Sequence, residues 1–589
     1  MLFGEKQAGT IPGKPMVERG PILDRNGRIL AIQTAMDSVE AWIPYIREAQ
    51  ETAGLLAEIL EMDEEELFTA FTTRSGSMWI KRKITPTEAA RIRELQAQDR
   101  LPGIYLRQEF GRNYPEQRIA GHLIGYVGTD NVGLDGIEYA LEDTLSPEPE
   151  GRHQDTLYGN QVFLTIDITI QHTAEKLARE ALEEYQADSV MILVADAKNG
   201  DILASASAPD FNPNSFMDFS EKERKNLPVT FSYEPGSVFK IFSIASFLDT
   251  GSITPYTTFF CNGLYENPLL REPIACLGAH GSVDAEHILE YSCNAGAAYA
   301  SDTISIEDFH MMITRFGFGK PTGLPLAGES HGLVRDPGQW SSRSKPTISF
   351  GQEILVSAMQ IIQATTTFTN RGIMLRPHII KKIVAPDGRV LEEYNREPIR
   401  EVISAATADT VLNMMEAATG PAGTARRAAV EGYRMSAKTG TAEVLDPKTG
   451  TYSKEAFLAS CLAILPTDDP ALIVYVVIDY PKTGIYYGSR IAAPIVGAIS
   501  SEILTYLGIP GEGYRVIEHP GMITLPAQQA LTVGATLPDF TGFSKKDLLP
   551  LLEDHRFTLK IQGSGWVVRQ YPPAGTTVTE GMTISVELQ

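Results

Sequence analysis

The chain has 589 residues, 43% of them hydrophobic and 21% charged, and a formal net charge of −23. This composition fits a folded protein of roughly two to four domains with at least one large core. With no basic tract to hold phosphates, the negative balance argues against nucleic acid as a partner. No apolar run approaches the ~18 residues of a membrane span. The longest is Ala471 to Ile478, and Met1 to Pro15 lack the apolar core of a signal peptide. Either the protein is cytosolic, or an anchor lies outside this chain.

In chain order, Asn26-Gly27 between Ile22-Leu23 and Ile29-Leu30 is a hairpin signal. Helical patterns follow at 46–61, 62–72 and 85–97, the second opening on Asp63-Glu64-Glu65-Glu66, which suits a helix N-terminus. Arg19, Asp24 and Arg25 read as a structural salt-bridge cluster, and nothing in 1–155 looks catalytic. Ser146 to Gly159 reads as a linker. A helix at 168–186 precedes a strand, Val190 to Asp196, which Lys198-Asn199-Gly200 turns into a second, Ile202 to Ser207. Much later come strands at Tyr433–Val444, Ala456–Leu465 and Ala471–Asp479, then a helix at 490–507. Two early strands, a long helical insertion and three late strands predict one mostly antiparallel sheet with helices on its faces. From 535 onward a helix near 544–555, strands around Gly563-Ser564-Gly565 and a strand from Thr577 to Leu588 form a separate small module.

The insertion carries Glu234-Pro235-Gly236-Ser237-Val238-Phe239-Lys240 before a run of apolar residues. The turn signal puts Ser237 at or near a helix N-terminus with Lys240 three residues on, on the same face. A serine nucleophile needs a base within reach, and a lysine serves once desolvation lowers its pKa. Ser-x-x-Lys alone is weak: Ser342-Arg343-Ser344-Lys345 is a second copy, although Pro346 disfavours helix at Lys345. Ser292-Cys293-Asn294 reads as a loop between helices that supplies a second hydroxyl and an amide, or as a plain helix cap. Lys-Thr-Gly occurs three times. Lys448-Thr449-Gly450 and Lys482-Thr483-Gly484 read as solvated turns. Only Lys438-Thr439-Gly440-Thr441 lies in a strand, where glycine admits a ligand's backbone, lysine gives a fixed positive charge and the threonine hydroxyls hold a carboxylate.

Cys261, Cys276, Cys293 and Cys461 lack zinc spacing, for no C-x-x-C occurs, and no metal or cofactor is expected. Cys261 and Cys276 either pair outside the cytoplasm or stay as buried thiols.

Ser-x-x-Lys, Ser-x-Asn and Lys-Thr-Gly in this order resemble the signature of penicillin-binding proteins and class A β-lactamases. Arg19-Gly20…Asp24-Arg25-Asn26-Gly27, Tyr114-Pro115…Gly125-Tyr126-Val127-Gly128, Ala208 to Asn214 and Tyr486-Tyr487-Gly488…Ala492-Ala493-Pro494 resemble boxes of the class B penicillin-binding proteins. Leu537-Pro538-Asp539, Gln570 to Gly575 and the final strand resemble a single PASTA domain. The resemblance spans nearly the whole chain.

It implies an α/β (α+β) penicillin-binding/transpeptidase fold, with a five-stranded, mostly antiparallel sheet and helices on both faces. Residues 1–155 would be a non-catalytic dimerisation or pedestal module, 156–512 the transpeptidase domain, 513–534 a linker and 535–589 the PASTA domain. It further implies a D,D-transpeptidase cross-linking peptidoglycan outside the cytoplasmic membrane, in division or sporulation more than elongation. Ser237 would attack the penultimate D-Ala of a D-Ala-D-Ala stem peptide or a β-lactam, with neutral Lys240 as base. Ser292 would pass a proton to the leaving amine and Asn294 would hold the donor peptide. Lys438, Thr439 and Thr441, with Gly440 between them, would bind the carboxylate, and the N–H groups of Ser237 and Thr441 would form an oxyanion hole. Partners would include a SEDS-type polytopic glycosyltransferase and division proteins. The chain begins about where the family's N-terminal anchor would end. A β-lactamase or β-lactam sensor would share the three motifs without needing 1–155 or the PASTA-like tail, and a scaffold without catalysis would have lost a motif.

Overall fold

The computed structural model describes residues 16–148, 156–446, 451–511 and 531–589. The linker expected at 146–159 lies partly outside them, although Thr156–Tyr158 is a strand pairing with Met16–Glu18. The linker at 513–534 and Lys448-Thr449-Gly450 also fall largely or wholly outside. Residues up to Gly513 form one compact unit, and those from Tyr514 form a second.

After the short strand Met16–Glu18, the first unit continues with β1 (Ile22–Leu23) and β2 (Ile29–Trp42), joined at Asn26-Gly27. Next come α1 (Ala49–Leu60), α2 (Glu64–Thr73), β3 (Ser77–Ile84), α3 (Pro86–Ala97) and β4 (Ile104–Asn113). Asp63 caps α2 by accepting from the Glu66 N–H, and Thr85 with Glu88 forms a capping box on α3. Arg19 and Arg112 flank the fully buried Glu138 at 2.6 Å each. The salt-bridge cluster expected of Arg19, Asp24 and Arg25 is therefore differently composed. Arg19 pairs with Glu138 and Glu142, while Asp24 accepts the N–H groups of Asn26 and Arg28 at the hairpin. A buried carboxylate flanked by two guanidiniums holds distant segments in register, since removing one partner strands a charge.

Strand β5 (Gln161–Leu164) lies between β1 and β8 (Ile380–Val384), so the N-terminal strands and the later chain share a sheet. After α4 (Ile168–Tyr185) comes the site-bearing sheet. It comprises β6 (Ser189–Asp196), β7 (Ile202–Ala208), β9 (Ser436–Asp446), β10 (Thr451–Leu465) and β11 (Leu472–Asp479), in the order β9-β10-β11-β6-β7. Every pairing in it is antiparallel. Its central strands read as unbroken apolar runs because both faces are covered. Val190, Ile192 and Val194 face one core with Val474 and Val476, against α4 and α9 (Gly488–Leu507). Met191, Leu193, Ile473 and Tyr475 face the other core, with the insertion's helices. On α4 the packed positions Ala174, Ala178 and Ala181 recur at helical spacing and let the helix sit close to the sheet. By length and composition α9 could cross a membrane, but Ile491, Val496, Ile499 and Ile503 are buried against the sheet.

The insertion contributes α5 (Lys240–Asp249), α6 (Ala285–Glu290), α7 (Asn294–Ser301) and α8 (Ala358–Thr369). Contrary to expectation, Lys345 is helical: the short helix Ser344–Ile348 includes Pro346. Proline is tolerated in a first turn, where its missing N–H has no helical acceptor to lose.

In the second unit β12 (Phe557–Gly563) and β13 (Val567–Tyr571) flank β14 (Met582–Leu588), around Phe540, Leu548, Val567 and Ile584. The last strand starts at Met582 rather than Thr577, and the expected helix is the turn Lys545–Leu548 continued as 3-10 helix to Glu553.

Candidate active site

Ser237 sits on a 3-10 turn, Gly236–Phe239, that runs into α5 at Lys240. A 3-10 turn eclipses residues i and i+3, so the tight winding aims both side chains the same way. Lys240 Nζ donates to Ser237 Oγ at 2.7 Å, to Asn294 Oδ1 at 2.7 Å, and to Ser292 O and Oγ at 3.0 and 3.3 Å. Lys240 is fully buried, and that burial pushes its amine down to about 8.

Ser292 lies between α6 and α7 with φ of 59°, unusual for a residue bearing a side chain and a conformation that costs about 1–3 kcal/mol. The Lys240 bond to its carbonyl and the Lys438 bond to its hydroxyl help hold it there. The cap of α7 is Cys293, whose Sγ accepts the Gly296 N–H. The motif thus presents Ser292 and Asn294 to the cleft and turns Cys293 away into the core.

Lys438, Thr439, Gly440 and Thr441 lie on β9, the sheet's edge strand. Lys438 Nζ, fully buried, donates to Ser292 Oγ at 2.9 Å and to Thr439 O at 2.9 Å. Burial first, then the Lys240 charge, push its amine well below the usual lysine range. Two buried amines share one serine hydroxyl, and no carboxylate pairs with either among the described residues. The hydrogen bonds of Lys438 in the free site thus go to neutral oxygens, one hydroxyl and one carbonyl.

Two glycines bring the nucleophile's turn against this strand. Gly236 adopts φ of +54°, and a Cβ there would meet Thr441 O at 3.0 Å. At Gly440 a Cβ would lie 2.4 Å from Ser460 Oγ and 3.0 Å from Pro235 O. Both approaches require glycine.

All eight residues singled out from the sequence converge here. Five of them, Ser237, Ser292, Asn294, Thr439 and Thr441, line a cleft of roughly 420 Å³ together with Gly236, while both lysines are fully buried. The cleft also carries residues not singled out as site residues. Phe457 stacks on Tyr486 at 3.8 Å between ring centroids, and Tyr486 leans on Tyr487. Cys276, Phe350 and Gln352 also line the cleft. Tyr486-Tyr487-Gly488 was a visible motif, but its stacking partner on β10 was not. The second Ser-x-x-Lys lies outside the cleft's hydrogen-bond network: Ser342 Oγ donates to Leu269 O and Lys345 Nζ to Ile304 O. Lys482 is exposed and paired with Asp188.

A hydroxyl held by a desolvated amine, on a helix-start turn against an edge strand, defines a serine acyltransferase of the Ser-x-x-Lys class. The penicillin binding protein transpeptidase domain matches residues 190–501, the penicillin-binding protein dimerisation domain 14–176 and the PASTA domain 535–589. The chain belongs to the penicillin-binding protein transpeptidase family, the D,D-transpeptidases. Stage V sporulation protein D of Bacillus subtilis is 31% identical across 100% of this chain and 92% of its own length. The probable peptidoglycan D,D-transpeptidase PenA of Neisseria gonorrhoeae is 30% identical, covering 83% of this chain and 85% of its own. Penicillin binding protein 3 of Mycobacterium tuberculosis, solved with ampicillin, has a TM-score of 0.68 at 25% identity, over 87% of this chain and 98% of that one.

Proposed function

We propose that this chain cross-links peptidoglycan through an acyl-enzyme on Ser237. The observation that carries the reading is the single amine, Lys240 Nζ, within hydrogen-bond reach of Ser237 Oγ, Asn294 Oδ1 and Ser292. Ser237 Oγ attacks the penultimate D-Ala carbonyl of a stem peptide as Lys240, in its free-base form, takes the proton. The N–H groups of Ser237 and Thr441 stabilise the oxyanion, consistent with the close approach that Gly236 allows. Ser292, bonded to both amines, relays the proton to the leaving D-Ala nitrogen. The C–N bond breaks as that N–H forms. Asn294 holds the donor peptide, whose backbone adds to the open edge of β9. The substrate or β-lactam carboxylate binds against Lys438, Thr439, Gly440 and Thr441, and supplies the counter-charge that neither buried amine has among the described residues. An amine from a neighbouring stem then resolves the ester.

Residues 1–155 serve as a non-catalytic pedestal or dimerisation module, 156–512 as the transpeptidase domain and 535–589 as an appendage after the 513–534 linker. The match to a sporulation protein over the full length, PASTA domain included, supports a role in sporulation or division. The site works on the extracytoplasmic face of the membrane, beside a SEDS-type glycosyltransferase and division proteins.

Fast deacylation needs a base that activates water. Glu234, raised to about 7 by burial, is engaged by the Glu353 N–H and the Tyr452 hydroxyl, and Glu443 is exposed on the cleft wall. Neither bonds to Ser237 or Lys240 among the described residues. Intact-mass spectrometry should therefore find a penicillin adduct on Ser237 that persists for many minutes. Rapid multiple-turnover hydrolysis of a chromogenic cephalosporin would overturn the transpeptidase reading in favour of a β-lactamase.

A further inference from the structure

Three cysteines and a histidine with no role in the acyl transfer meet directly behind the Ser292–Asn294 loop. Strand Phe259–Cys261 pairs with Gly281–Val283, and Leu264–Tyr265 with Ile274–Ala275. These small ribbons carry Cys261, Cys276 and His280 over Cys293 at the start of α7. The three Sγ atoms and His280 Nδ1 all lie within 4.8 Å of one another. Cys276 Sγ is 3.7 Å from Cys293 Sγ and 3.6 Å from His280 Nδ1, and Cys261 Sγ is 3.6 Å from the same nitrogen.

Those separations discriminate between chemistries. A disulfide requires sulfurs about 2.05 Å apart. A tetrahedral ion with Zn–S bonds of about 2.3 Å and a Zn–N bond of about 2.05 Å sets S···S near ~3.8 Å and S···N near ~3.6 Å. The site has the second set of distances, and all four cysteines of the chain are free thiols. Further contacts fit a metal site: the N–H groups of Asn294 and Gly296 donate to Cys276 Sγ and Cys293 Sγ, each at 3.2 Å. The His280 ring stacks on Tyr291 at 5.7 Å, which fixes its orientation. Such outer contacts orient metal ligands and temper thiolate charge. Soft thiolates with one imidazole suit zinc rather than the oxygen-seeking calcium or magnesium.

We propose that Cys261, Cys276, His280 and Cys293 bind a structural Zn²⁺ ion that fixes the Ser292–Asn294 loop. On binding, each thiol gives up its proton to solvent and the imidazole coordinates neutral through Nδ1. The ion would hold the loop from two sides. Cys293 lies between Ser292 and Asn294 in sequence, and the Asn294 backbone is bonded to Cys276. It would also tie in the cleft wall that Cys276 helps to form. With four ligands from protein no position remains for substrate, so the role is positioning, not catalysis.

The full chain, purified under reducing conditions from zinc-supplemented medium, should contain about one equivalent of zinc by plasma mass spectrometry. His280→Gln and Cys261→Ser should lose it. Cobalt added to the chelator-treated protein should give thiolate-to-metal charge-transfer bands that His280→Gln weakens. Chelation should lower the melting temperature and slow penicillin acylation on the order of tenfold or more, and zinc should restore both. A wild-type chain that retains no zinc and gives no cobalt bands would overturn the proposal, as would a Cys276–Cys293 disulfide found by peptide mapping. Zinc retained at full stoichiometry by His280→Gln would assign the metal elsewhere and equally refute it. These readouts do not depend on the transpeptidase reading, which fails separately if Ser237 is not acylated.

Discussion

The chain holds two Ser-x-x-Lys segments, and only one is a reactive pair. At Ser237 both residues are wound on one tight turn, and the amine touches the hydroxyl at 2.7 Å. At Ser342 the serine precedes its helix, and hydroxyl and amine bond to backbone carbonyls of different segments. Both amines are lowered by burial, but Lys240 is wholly enclosed whereas Lys345 is half-buried near Asp302 and Glu307. Spacing supplies the candidates, and local winding with a sealed, carboxylate-free surround makes one of them a nucleophile and base.

The largest expected effect separates the two serines outright. Ser237→Ala should abolish covalent labelling by a fluorescent penicillin with the circular dichroism unchanged, while Ser342→Ala labels normally. Labelling that moves with Ser342 would reverse the comparison. Next, Lys240→Ala should slow acylation by ~10³-fold, within the range for loss of a general base, as followed by stopped-flow quenching. Lys345→Ala should leave that rate alone.

The Lys-Thr-Gly copies extend the same contrast. Lys438→Ala should slow acylation by roughly 10²-fold, the scale of one lost charge-stabilising group. Lys482→Ala should acylate at the wild-type rate and stay within ~0.5 kcal/mol in urea melts. Equal losses at both lysines would mean that strand placement does not matter.

A smaller effect tests the desolvation argument through pH. Lys240 must be neutral to accept the proton, and burial puts its amine at about 8. The acylation rate should therefore rise about tenfold per unit below that value and level off above it. The folded pKa lies below that of an unfolded lysine, so unfolding takes up protons between the two values. This lysine accordingly disfavours the fold below about 8, and the loss is relieved as pH rises toward the unfolded value. A flat profile from pH 6 to 9 would show that Lys240 is not the titrating base. Lys345→Ala should leave the profile where it is.

Much of this was legible because physical periodicity writes it into the chain. Val190 to Asp196 and Ala471 to Asp479 read as strands through their apolar runs and form Ser189–Asp196 and Leu472–Asp479, and the three motifs lie in helix-start, loop and strand settings that residue chemistry alone points to. Other features depend on contacts that no local rule encodes. The thiol cluster joins positions 4 and 17 residues from Cys276, from separate ribbons and a helix cap, so no linear zinc motif announces it. The pairing of Phe457 with Tyr486 joins a strand to a loop. The environment of Lys438 was equally invisible, because burial and a second amine, both tertiary facts, lower its basicity. Pro346 misled for a simpler reason: a residue before proline is biased away from helix but not barred from it, and Lys345 is helical in the short turn Ser344–Ile348.

The seam between β1 and β5 governs where this molecule can be cut. Ile22 pairs with Val162 and Leu23 with Phe163, while the far side of β5 is taken by β8. A chain begun at residue 156 would keep every group of the reaction centre yet leave one flank of β5 as a row of unanswered N–H and C=O groups. Val162 and Leu164, now fully enclosed, would stand beside that row. Open, apolar flanks of this kind recruit strands from neighbouring molecules. The N-terminal strand thus acts as a guard rail, and the severed enzyme would fail by clumping before it failed by chemistry.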